Sequence, residues 1–362
     1  MKRAIVIACF WLAAGLSAAG AETELFERTF EAKDSVEALR DDEGLAGQAL
    51  RTLGWAGEAF EVTVRDTPGR DYDARITFTS PKPSGDAELD EVVLRWYRPE
   101  AARHPRTAYN PQPLPNPPAA SVLLVHTLHP DLPVATMLAR GLRERGVHGF
   151  VIELPGYASR VGAERKMTGV TTLVNAAQAV SDCRRAYDVI QALGREDVAD
   201  LDEDRIAIQG TSLGSFIATS AAALDGCFDQ TFLFLSGGDG VNILETGQKD
   251  AFHVRGALKH YGYTGDKLRA LIDPVEPLHI AHRLDPETTW MFNARHDTVI
   301  PAKNADLLAE AIGLGEDHLV WMNGNHYTAF ILLPGVLDRM KTEMGVQPAA
   351  PTADDAEQAM KE

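Results

Sequence analysis

The chain has 362 residues, with 52 acidic against 35 basic side chains and a formal net charge of −17. That balance leaves no basic footprint for nucleic acid, and it bears on solubility more than on the choice of substrate. With 45% hydrophobic residues and three cysteines, the sequence can bury a large core of one or two domains and cannot build a disulfide framework.

Residues 1–21 begin with Lys2 and Arg3, continue as an apolar run from Ala4 to Leu16, and end in the small-residue pattern Ala19-Gly20-Ala21. This reads as a secretory signal cleaved after Ala21. A retained anchor needs about 18–20 apolar residues, and Gly15 and Ser17 interrupt this run. Cys9 has no separate apolar run ahead of it, which argues against a lipid-modified cysteine. The expectation is a secreted or periplasmic protein, with no stable membrane anchor after cleavage and a mature net charge of about −19. Cys183 and Cys227 then remain and read as buried thiols, one bridge between them being permitted in an oxidising compartment.

Residues 22 to about 54 carry a charged, helix-like pattern. Three runs with strand character follow, AFEVTVRD, YDARITFTS and EVVLRWYRP, separated by turns, so residues 22–110 are read as an N-terminal helix with antiparallel strands. The stretch 109–120, YNPQPLPNPPAA, is proline-rich and marks the one plausible boundary. Beyond it short apolar runs (SVLLVH, GFVIEL, RIAIQG, TFLFLSGG) alternate with helical patterns, among them a long amphipathic helix, TLVNAAQAVSDCRRAYDVIQAL. Such alternation predicts an α/β fold with a mostly parallel central sheet flanked by helices, and a functional site at the carboxyl ends of the strands. Residues 241–285 break the alternation just after a strand and are read as a cap over that site. Residues 345–362, small and acidic, read as a disordered tail.

The stretch DRIAIQGTSLGSF places Ser212 between Gly210 and Gly214 directly after an apolar run, a Gly-x-Ser-x-Gly pattern that fits a tight strand-to-helix turn. A serine hydroxyl is a weak nucleophile and needs an imidazole to take its proton and a carboxylate to orient the imidazole. Downstream, Asp297 follows the apolar run of TTWMFNARHD, and His326 follows that of DHLVWMNGNH, giving the order serine, aspartate, histidine. Asp239 in GGDG also follows a strand and is the reserve partner for His326.

These three motifs in their strand contexts make residues 121–344 resemble the α/β-hydrolase superfamily, which carries its nucleophile elbow after the fifth strand, its acid after the seventh and its histidine after the eighth. The resemblance implies the α/β-hydrolase fold, a Ser212–His326–Asp297 triad, no cofactor, and an oxyanion hole formed by the backbone NH of Leu213 and, from the loop HTLHP, of Leu128. That loop has Thr127 where the family usually has glycine, and His126 matches its usual histidine. Glu153 resembles an acidic residue that is commonly structural there. There is also some likeness to dienelactone hydrolase and acetylxylan esterase relatives, the former normally carrying cysteine where Ser212 stands.

The function expected is exported cleavage of carboxylic esters, the partner being a small-molecule or acylated-polymer ester. The alternatives are a serine peptidase or a non-catalytic binding protein on the same fold. A metal at His126, His129 and Asp131 has no second cluster to complete it. His279 and His282 are accounted for by a solvated cap surface, and Phe252, Tyr261 and Tyr263 either line a pocket or pack the cap down.

Overall fold

In the computed structural model ten strands among the described residues form one sheet in the order β1-β2-β3-β4-β6-β5-β7-β8-β9-β10. Residues 26–36, 43–99, 118–162 and 168–346 are described. The expected leader with Cys9, residues 109–117 of the proline-rich stretch and the tail from 347 lie outside them.

The N-terminal flank is antiparallel: β1 (Glu27–Lys33), β2 (Ala59–Asp66), β3 (Ala74–Thr79) and β4 (Glu91–Tyr97), with α1 (Gly44–Leu53) after β1 and the single turn α2 (Ala87–Asp90) before β4. The helix expected from residue 22 therefore begins later. Residues 27–33 are rich in helix formers, yet they alternate around buried Phe30 and Ala32, and β2 supplies the hydrogen bonds that a local helix would have made. Strand β4 pairs with β6, so the sheet runs unbroken past the proline-rich stretch.

The remaining strands, β5 (Ala119–Val125), β6 (His148–Ile152), β7 (Leu201–Thr211), β8 (Thr231–Phe234), β9 (Thr289–Ala294) and β10 (Leu319–Met322), are mutually parallel. Every residue of β6, β8 and β9 is buried, as expected of strands covered on both faces. From β5 the chain crosses through α3 (Pro133–Glu144) to β6 on one side. It then returns through α4 (Thr168–Val174) and α5 (Ala176–Arg195) to β7 on the other. Right-handed crossovers in opposite directions place α3 and α5 on opposite faces and open a crevice at the carboxyl ends of β5 and β7. α6 (Leu213–Ala223) packs beside α5.

The long helix expected from 172 to 193 is divided at Asn175, and α5 is not amphipathic in the simple sense. Its polar face is buried under the N-terminal segment. Arg185 pairs with Asp34 at 2.6 Å, Ser35 donates to Asp188 at 2.5 Å, Ser80 donates to Asp182 at 2.5 Å, and Arg160 pairs with Asp182 at 2.7 Å. Cys183 is buried and Cys227 half-buried, both as free thiols.

After β8 the cap comprises α7 (Gly240–Thr246), α8 (Asp250–His260), α9 (Asp266–Ile272) and three short 3-10 turns. The Glu276 carboxylate accepts from the backbone NH groups of Asp239, Gly240 and Leu278, fastening the cap's return segment to the start of α7. Helices α10 (Ala302–Ile312) and α11 (Leu333–Glu343) complete the layers.

Candidate active site

Ser212 occupies the turn between β7 and α6 with φ 54° and ψ −116°, a conformation costly for any residue with a side chain. The turn is held by Ser212 NH donating to Phe234 O, and by Ser212 O accepting from the Ser215 NH and hydroxyl. The flanking glycines are required by close approach. A Cβ at Gly210 would lie 2.6 Å from Ser215 Cα, and one at Gly214 would lie 2.7 Å from His126 O. Without side chains there, α6 starts directly against the ends of β7 and β5.

His326 Nε2 lies 3.1 Å from Ser212 Oγ, and His326 Nδ1 lies 2.6 Å from Asp297 Oδ2. In this arrangement Nδ1 can donate to Asp297 while Nε2 accepts from the serine hydroxyl. Asp297 Oδ1 accepts from the NH groups of Val299 (2.8 Å) and Ile300 (3.0 Å), which fixes the carboxylate. The loops bearing the two residues are stitched together, Arg295 NH to Met322 O and His296 NH to Gly324 O, both at 3.0 Å. Asn325 Oδ1 then accepts from the NH groups of Tyr327 and Thr328, closing the turn that carries His326. Asp239, the reserve acid, caps α7 by accepting from Asn242 NH and takes no part in this row.

Leu213 is the first residue of α6, so its NH lacks an acceptor within the helix and sits beside Ser212. Thr127, Leu128 and His129, which follow β5, line one cavity with Ser212, and Leu128 lines a second with Ser212 and Leu213. His126 itself is buried and structural. It accepts from Leu154 NH at Nε2 (3.1 Å) and donates from Nδ1 to Thr127 O (2.6 Å), and burial pushes its pKa down to about 4. His129 Nδ1 accepts from Asp131 NH at the surface. Glu153 binds Arg95 and the NH and hydroxyl of Ser159, tying the loop after β6 to β4.

Two cavities meet at Ser212. The larger, about 510 Å³, has Ser212 and His326 on its wall together with Tyr157, Asp250, His253 and Tyr261. The smaller, about 90 Å³, is a slot between the start of α6, the cap and the residues after Asp297, and no charged side chain lines it. Of the cap aromatics, Tyr261 borders the larger cavity, Tyr263 packs into a small apolar cluster with Leu258 and Leu268, and Phe252 is exposed. His279 and His282 lie in short turns and border neither cavity. Sequence reasoning missed Tyr157, Val170, Asp250, His253 and Tyr327 on the larger wall. None belongs to a motif, and only the position of the cap pointed toward two of them.

Counting the last eight strands, Ser212 follows the fifth, Asp297 the seventh and His326 the eighth. No family model and no curated protein matches the sequence. Among solved structures, an acetyl xylan esterase from Paenibacillus sp. R4 superposes with a TM-score of 0.55 at 14% identity, covering 84% of this chain and 96% of that one. A Mycobacterium tuberculosis puromycin-hydrolyzing peptidase gives 0.52 at 14% identity, over 80% of this chain and 47% of its own, so the present chain spans about half of it. With its mostly parallel sheet, its flanking helices and these neighbours, the chain has the α/β-hydrolase fold.

Proposed function

We propose that the chain is a serine hydrolase that cleaves carboxylic esters, exported if residues 1–21 act as a leader. The observation that supports it is the hydrogen-bonded row from Asp297 through His326 to Ser212 at the junction of two cavities. In this reading Ser212 Oγ attacks the ester carbonyl as its proton passes to His326 Nε2. Asp297, held by two backbone NH groups, stabilises the imidazolium that forms. The oxyanion falls to the NH of Leu213 and to the loop Thr127–Leu128. His326 then protonates the departing alcohol, and a water that it deprotonates releases the acid from Ser212.

The same row attacks amides, and the fold is shared with a puromycin-hydrolyzing peptidase, so peptide cleavage is the second reading. Hydrolysis of p-nitrophenyl esters beside p-nitroanilide amides separates the two. Ester turnover should fall about 10⁴-fold or more in Ser212→Ala while the melting temperature is kept. Equal activity in the variant would end the serine reading, and amide turnover without ester turnover would favour the peptidase.

A further inference from the structure

We propose that the narrow slot is the acyl subsite and the larger cavity the leaving-group subsite. The substrates are then esters of short aliphatic acids with bulky, polar alcohols. This rests on the ester-hydrolase reading of Ser212 and adds which side of the serine receives which half of the substrate.

His326 Nε2 accepts the Ser212 proton, and that proton must go to the leaving oxygen when the carbonyl carbon–oxygen bond breaks. The alcohol therefore lies on the face of Ser212 that His326 shares. The larger cavity has both residues on its wall, whereas the slot has Ser212 and Leu213 but not His326. With the carbonyl oxygen at the Leu213 NH, the acyl chain continues into the slot, away from the imidazole.

Size and chemistry follow. The slot is lined by Phe216, Ile243, Leu244, Ile272, Val299 and Ile300. Its glycine end is closely packed: a Cβ at Gly237 would lie 2.7 Å from Ile300 Cγ2, and one at Gly240 would lie 3.0 Å from both Phe216 Cε2 and Ile272 Cγ2. With about 90 Å³ against about 510 Å³ for the larger cavity, the slot takes the smaller half of the ester. The larger cavity instead offers His129, Asp250, His253 and Tyr261, donors and acceptors suited to a hydroxylated alcohol.

The test measures kcat/KM for p-nitrophenyl acetate, butyrate, hexanoate and octanoate, and for a series that keeps the butyryl group while the alcohol changes from methanol to a monosaccharide. It is run on the parent and on Ile243→Ala and Ile243→Phe. Ile243 is half-buried at the slot wall, and Leu244→Ala serves if Ile243→Ala does not fold. The parent should be best at butyrate or shorter and fall at least about 10-fold by octanoate. Ile243→Ala should raise the octanoate-to-butyrate ratio about 10-fold, and Ile243→Phe should confine activity to acetate. Ratios across the alcohol series should move by less than about threefold in either variant. A flat or long-chain profile in the parent, or variants that alter alcohol preference instead, would overturn the assignment while leaving the ester reading intact. No ester cleaved and no labelling of Ser212 by a small fluorophosphonate would mean that the underlying reading had failed first.

Discussion

Two buried carboxylates in this molecule have much in common and differ in where their hydrogen bonds lead. Asp182 binds Ser80 and Arg160, whose other NH groups are taken up by the carbonyls of Leu89 and Glu153, and both members of the ion pair have 0% exposed side chains. Asp297 is nearly as buried, at 4%, but its bonds run through His326 to a hydroxyl that borders open cavity. Burial and hydrogen-bonded carboxylate oxygens are thus shared by a closed structural knot and by the candidate site. What separates them is a chain of hydrogen bonds that ends on a reactive atom facing space at the carboxyl end of a parallel strand.

That contrast breaks or sharpens under substitution. Asp297→Asn should lower kcat about 10⁴-fold on any ester the parent cleaves, because the amide favours the wrong imidazole tautomer, with little change in chemical unfolding. Asp182→Asn should do the reverse. Stranding the Arg160 guanidinium should cost about 3–5 kcal/mol of stability in urea unfolding, with kcat per folded molecule retained. A large loss of kcat in Asp182→Asn, or of stability in Asp297→Asn, would erase the distinction.

The third effect is smaller and depends on pH. His126 is held neutral, at about 4 against 6.5 for the free side chain. Between those values the unfolded chain binds the proton that the folded chain refuses, so this contribution is complete above pH 6.5 and is lost as pH falls toward 4. It amounts to a few kcal/mol, on the order of 3, and His148, pushed down to about 3 by burial, acts in the same direction. Unfolding at pH 7 and pH 4.5 should show a shallower acid loss in His126→Gln than in the parent. An unchanged slope would mean that the imidazole is not the group being titrated.

The parallel half of the fold was legible because each of its strands is a short apolar run between turns, and Ser212, Asp297 and His326 each follow one directly. Local pattern was enough there. It failed where partners are remote. Glu27–Lys33 reads as helix until β2, more than twenty residues on, pairs with it. The charged face of α5 reads as solvated until Asp34, Ser35 and Ser80 arrive from about 100 to 150 residues away. The cavity walls were harder still, since Tyr157, Val170 and His253 come from unrelated segments and meet only in three dimensions.

One dipeptide serves two masters. The NH groups of Val299 and Ile300 hold Asp297, and the same residues form a wall of the slot beside Ser212. On the proposed reading, a lineage that reshapes the slot on this side also disturbs the acid that steadies the imidazole, and trades speed for range at each step. The opposite wall, on α7, is tied to Asp297 only at second hand, through Ile243 packing against Val299 and Ile300. Diversification of substrate range should therefore accumulate in the cap, leaving the strand-end dipeptide as the slow-evolving side of the slot.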